Sequence, residues 1–154
     1  MAFTAAQRAT VVPASPPSEP RIRWTRVRTS HELLDGAWWP RSTDPVAELA
    51  GLIIALDDRF EPIQQIMLNN TAWDRWFRRI AVGNRVVKVS WFATLNPALV
   101  IATTEQGAQL DLLVVPSSTP EAVAEVVMAQ ATDPDNTMAA ADILRAQGAQ
   151  LGSG

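Results

Sequence analysis

Between residues 80 and 115 the chain is cut into short apolar runs by turn residues spaced too closely for helices. The cuts fall at Gly83-Asn84, Asn96-Pro97, Glu105-Gln106-Gly107 and Pro116. The runs between them, Ile80 to Val82, Arg85 to Phe92, Ala98 to Thr103 and Gln109 to Val115, have the length and the β-branched content of strands. A glycine placed first in a two-residue loop suits a type II′ hairpin turn, whose twist matches that of its flanking strands. The segment is therefore predicted to be an antiparallel meander. Whatever else the chain does, it must build around a sheet.

The flanking segments supply the covering layers. Asp44-Pro45 offers a capping carboxylate followed by a proline suited to the first helical position. Leu49, Leu52, Ile53, Leu56 and Phe60 then recur at helical spacing, so a helix is predicted over 45–59, stopped by Pro62. Ile63 to Leu68 reads as a strand closed by Asn69-Asn70-Thr71. Arg21 to Arg28 also reads as a strand, and arginines on both of its faces make it an edge strand. Two C-terminal helices are predicted. One begins with Pro120 at its first position behind Thr119 or Ser118, and the other spans 137–147 beyond the Asp133-Pro134-Asp135-Asn136 break. The order lacks strict βαβα alternation. It predicts an α+β fold with a single antiparallel sheet of about five to six strands, packed by these helices.

Length and composition fit one domain. A hydrophobic share of 47% and a charged share of 19% are those of an ordinary globular protein. Pro13, Pro16, Pro17 and Pro20 mark residues 1–20 as a disordered, extended Pro-rich tail, leaving 21–147 as the domain and 148–154 as a flexible end. No apolar run approaches the roughly 18–20 residues of a membrane span, and no signal peptide is visible, so a cytoplasmic location is expected. The chain has no cysteine, which removes disulfides, thiolate nucleophiles and Cys-based metal sites. His31 is the only histidine and reads as a loop residue. No metal and no cofactor is expected. Residues 1–104 carry a charge balance of +3 and residues 105–154 one of −6, which together make the net −3.

Chemistry, if any, should gather around the aromatic and cationic residues. There are six tryptophans and no tyrosine. Trp38, Trp39, Trp73, Trp76 and Trp91 lie in the sequence near Arg41, Arg75, Arg78, Arg79 and Lys88. Aromatic and arginine side chains are the usual anchors of protein interfaces. The leading expectation is a non-enzymatic binding or regulatory domain that contacts another protein through Asp35, Trp38, Trp39, Arg41, Trp73, Asp74 and Arg75. A competing arrangement sends Trp38 and Trp39 to opposite sides, one into the core and one at its rim. The second functional reading is single-stranded RNA or DNA binding through Trp76, Arg78, Arg79, Arg85 and Lys88, with stacking faces for bases and positive charge for phosphates. A pI near 5.1 weighs against it. The third, an acid-based hydrolase, ranks last because no two carboxylates are spaced to flank a scissile bond.

The run Leu34-Asp35-Gly36-Ala37-Trp38-Trp39-Pro40-Arg41-Ser42 resembles a family of small actinobacterial proteins of unknown function. Trp73-Asp74, Arg79-Ile80-Ala81-Val82-Gly83, Val86-Val87-Lys88-Val89, Leu112-Leu113-Val114-Val115-Pro116 and the Asp133-Pro134-Asp135-Asn136-Thr137 segment extend the likeness over roughly 21–147. The resemblance implies one compact domain and no transferable activity. It also implies a source rich in arginine over lysine, as the twelve Arg and one Lys of this chain show.

Overall fold

The computed structural model describes residues 10–25 and 34–148. Eight strands form one sheet: β1 (Thr10–Val11), β2 (Ile22–Trp24), β3 (Gly36–Trp38), β4 (Ile63–Asn69), β5 (Arg79–Val82), β6 (Arg85–Phe92), β7 (Leu99–Thr104) and β8 (Gln109–Val114). The three helices among the described residues are α1 (Pro45–Arg59), α2 (Glu121–Ala131) and α3 (Ala140–Ala146). The fold is α+β, as expected, but the sheet is mixed. Its order is β1-β5-β6-β4-β7-β8-β3-β2, with β1/β5, β4/β6 and β3/β8 parallel.

Strand direction and strand count both depart from the prediction, each for its own reason. The hairpins β5–β6 and β7–β8 form as expected. The meander does not continue between them, because β4 inserts between β6 and β7 and pairs with both. Gly83 has φ 60, while no non-glycine residue has positive φ, which is the φ signature of the type II′ turn. The extra strands, β1 and β3, are too short to show an alternation in sequence. β2 lies at the sheet's edge, while Arg26 and Arg28, together with His31, fall outside the described residues.

Helix α1 spans the predicted residues. The Asp44 carboxylate accepts from the Val46 N–H at 3.0 Å, and Pro45 occupies the first turn. Its apolar stripe, Leu49, Leu52, Ile53 and Leu56, is fully buried against one sheet face with Trp38, Ile66, Leu68, Ile80 and Leu112. Helix α2 differs in detail from its prediction. Pro120 is the cap position rather than the first helical residue, and no side chain caps the helix. Helices α2 and α3 build a second core on the opposite face, with Ala37, Trp39, Leu113, Val127, Ile143 and Leu144. β8 thus lies between two cores, which explains the continuous apolar run from Leu112 to Val115.

The proline-rich segment is placed from Thr10 onward. Thr10 and Val11 pair with Arg79 and Ile80 at the sheet edge. Ser18 then crosses α1 at Gly51, where a Cβ would stand 2.4 Å from the Ser18 carbonyl oxygen. Only a glycine permits so close a crossing. Thr10, Val11 and Ser18 therefore lie against the domain, within the stretch that the sequence places in a free tail. Residues 1–9 and 149–154 lie outside the described residues. No helix among the described residues is long and apolar enough to cross a membrane.

Candidate functional site

The tryptophan-rich stretch serves mainly as internal scaffolding. Asp35 clamps β3 to β8: its N–H donates to the Asp111 carbonyl at 2.8 Å, and its carboxylate accepts from the Asp111 N–H at 2.9 Å. Alternation along the extended chain then sends Trp38 and Trp39 into different cores. Trp38 is 1% exposed and stacks on Trp73, with ring centroids 5.5 Å apart and planes at 17°. Trp39 is 9% exposed, and the Arg21 guanidinium lies 3.6 Å above its ring. That arginine also donates to the carbonyls of Trp39 and Pro40 at 2.9 and 2.8 Å. Burial, with help from the Arg41 charge, lowers the Arg21 pKa, and Glu48 and Glu121 partly offset this. The two tryptophans do face opposite sides, but neither ring is at the surface.

The polar members of the set hold the loops together. Glu48, buried at 8% exposure, accepts from the Arg41 N–H at 2.8 Å and the Ser42 hydroxyl at 3.0 Å. Arg41 reaches the Glu19 carbonyl at 3.2 Å. Thr43 donates its hydroxyl to Asp74 at 2.8 Å, and the Asp74 N–H returns to the Thr43 carbonyl at 3.0 Å. Arg75 grips both carboxylate oxygens of Asp44 at 3.1 Å. The structure therefore brings Trp38, Arg41, Trp73, Asp74 and Arg75 together around the start of α1. It leaves Arg41, Asp74 and Arg75 exposed, each already bonded.

Asp44 gives this loop junction a measurable signature. Burial pushes its carboxyl up, but hydrogen bonds from Arg75 and Val46 and the Arg75 charge outweigh that and hold the pKa below its ordinary 3.8. A depressed carboxyl contributes stability above its unfolded pKa and loses it as pH falls through the folded value. The contribution should thus be intact above about pH 4 and fade only in stronger acid. Arg75→Ala should raise the Asp44 midpoint toward its ordinary value, read by carbon-13 carboxyl shifts against pH. An unmoved midpoint would assign the depression to the helix start alone.

The second set converges better. Arg78, Arg79 and Lys88 line a notch of about 490 Å³ together with Trp91 and Phe92. Arg79 and Lys88 are cross-strand neighbours on β5 and β6. All three cations are exposed and make no ion pair among the described residues. Trp76, 63% exposed, is fixed by its indole N–H donating to the Asn70 carbonyl at 2.7 Å. The Asn70 N–H in turn donates to the Phe92 carbonyl at 3.2 Å, which ties Trp76 to the same end of β6. Arg85 is not part of this group. It stands on the other face of β6, donates to the Ile63 carbonyl at 2.6 Å and ion-pairs with Asp57.

Phe92, 43% exposed, is the residue that sequence reading missed. In β6, Val87 and Val89 face the α1 core, so Val86, Lys88, Ser90 and Phe92 face the other way. An aromatic residue in phase with Lys88 was the available signal. Among the described residues no group of three or more His, Asp or Glu is placed to hold a metal ion.

These features describe a two-core α+β domain on a mixed sheet, with a basic, aromatic notch. By sequence the chain belongs to DUF5994, a family of unknown function whose model matches residues 21–131. That span runs from β2 through the end of α2 and includes the tryptophan pair and the notch. No curated protein matches the chain, and no solved structure matches it.

Proposed function

We propose that this domain is a non-enzymatic protein-binding module. Its contact surface is the outward face of β5, β6, β4 and β7, rimmed by Trp76, Arg78, Arg79 and Lys88. The observation that carries this reading is the exposure of Trp76, Val86 and Phe92 beside three cations that have no ion-pair partner among the described residues. A rigidly held indole loses little entropy on binding, and aromatic and arginine anchors dominate interface energetics. The expected partner offers apolar and acidic side chains together. Trp38 and Trp73 support this surface from within, through the stacking that fixes the 70–78 loop.

The test is peptide-display selection against the full chain, run in parallel against the Trp76→Ala/Arg79→Glu variant. Both residues are exposed, so the fold should persist, as circular dichroism would verify. Enriched acidic, aromatic peptides should bind the variant at least about tenfold more weakly. Equal enrichment on both proteins would overturn the reading. The second reading, single-stranded nucleic-acid binding, draws support from four of its five expected residues, Trp76, Arg78, Arg79 and Lys88, lying along the half of β6 from Lys88 to Phe92. Saturable quenching of tryptophan fluorescence by mixed-sequence RNA, fading as salt rises, would favour it instead.

A further inference from the structure

We infer that the outward half of the sheet is a self-association surface, on which a second copy of the chain packs sheet to sheet about a two-fold axis parallel to β4. This rests on the reading of that face as a protein-binding surface and names the partner.

Helices α2 and α3 cover the end of this face at β3, Leu113 of β8 and the start of β7 at Leu99. Beyond them the register sets out two uncovered rows. One runs Arg79, Lys88, Gln65, Thr103, Gln109 across β5, β6, β4, β7 and β8. The next runs Ser90, Met67, Ile101, Asp111 across β6, β4, β7 and β8. None of these residues belongs to either core.

Charge is divided across the rows. Arg79 and Lys88 hold one side, and Asp111 holds the other. The middle, Gln65, Met67, Ile101 and Thr103, is uncharged. Turning a copy over about an axis parallel to β4 lays its β8 above β5 of the first chain, and its β5 above β8. Each cationic side then meets an anionic side, twice by symmetry, and Met67 faces Met67. An isologous interface must be self-complementary in this way. An unrelated partner would give no reason for Arg79 and Asp111, opposite in charge, to stand two strands to either side of β4.

The step beside the face also fits. A helix layer and a facing sheet each stand about 10 Å from the sheet below, so the copy seats alongside α2 and α3. Strand spacing of about 4.8 Å over five strands, and about 6.6 Å for each of these two rows and the Val86 row beside them, give a footprint of roughly 24 by 20 Å. At about 480 Å² per copy this falls below the roughly 800 Å² of a standard interface, so weak association in the micromolar range is expected.

Sedimentation velocity of the full chain over roughly 1–300 μM, bracketing that range, is the test. The weight-average coefficient should rise from monomer to dimer with concentration and fall back as salt screens the charges. Arg79→Glu and Asp111→Lys should each weaken the dimer at least about tenfold, and the double variant should recover it. Val86→Lys, at a residue 51% exposed, should weaken it without touching the charged pair. A monomer at every concentration overturns the proposal, as does self-association indifferent to all these variants. A monomer that still selects peptides through Trp76 refutes self-association while leaving the protein-binding reading standing. A monomer that selects none refutes both.

Discussion

Trp38→Ala is expected to destabilise the domain by about 3–5 kcal/mol, measured as a shift in urea midpoint at unchanged slope. The side chain is 1% exposed within the α1 core, so truncation removes the whole buried indole and leaves a cavity. It also ends the stacking with Trp73, worth about 0.5–1.5 kcal/mol beyond area burial. Trp73 carries the loop that Asp74 and Arg75 fasten to the start of α1, so the loss should spread. Amide exchange over residues 70–78 should accelerate more than global unfolding accounts for. Trp38→Phe, which keeps a ring opposite Trp73, should lose less than half as much. A loss for Trp38→Ala below about 1 kcal/mol would show that the core closes over the vacancy.

Gly51→Ala should destabilise by about 1–3 kcal/mol, against the usual direction of such a change. In a free helix the same substitution gains about 1 kcal/mol. Here the new Cβ would stand 2.4 Å from the Ser18 carbonyl oxygen, and the atom in its way is backbone. The crossing segment must lift from α1, taking with it the Arg41 bond to Glu19 and loosening β1 from β5. Limited proteolysis reads this directly: residues 10–20 should be cut in the variant and protected in the native chain. A variant that is more stable and equally protected would refute the close crossing.

Local features were legible in sequence, and long-range ones were not. Asp44, Pro45 and Pro62 fix α1 through capping and backbone restriction, which depend only on neighbouring residues. Gly83 does the same for the β5–β6 hairpin. The insertion of β4 between β6 and β7 depends on pairings across intervening chain, and no local signal records it. Trp38 and Trp39 were ambiguous because β3 has a core on each face, so no polar alternation marks which ring is inside. At the notch, parity would have separated Arg85 from Lys88: they are three residues apart on one strand and must face opposite ways. The convergence of Arg78, Arg79 and Lys88 followed from their neighbourhood in the hairpin. Phe92 joins them by alternation, four residues beyond Lys88 on the same strand.

The position of β4 governs how the chain can assemble. Both of its neighbours, β6 and β7, come later in sequence, so during synthesis it emerges with two unpaired edges. The β3–β8 ladder closes later still, joining Gly36 to Leu112. Loop closure must be completed before such contacts yield stability, and this slows folding. The hairpins β5–β6 and β7–β8 can form at once from local contacts. Until they flank it, the centre of the sheet is the stretch most in need of shielding by a chaperone.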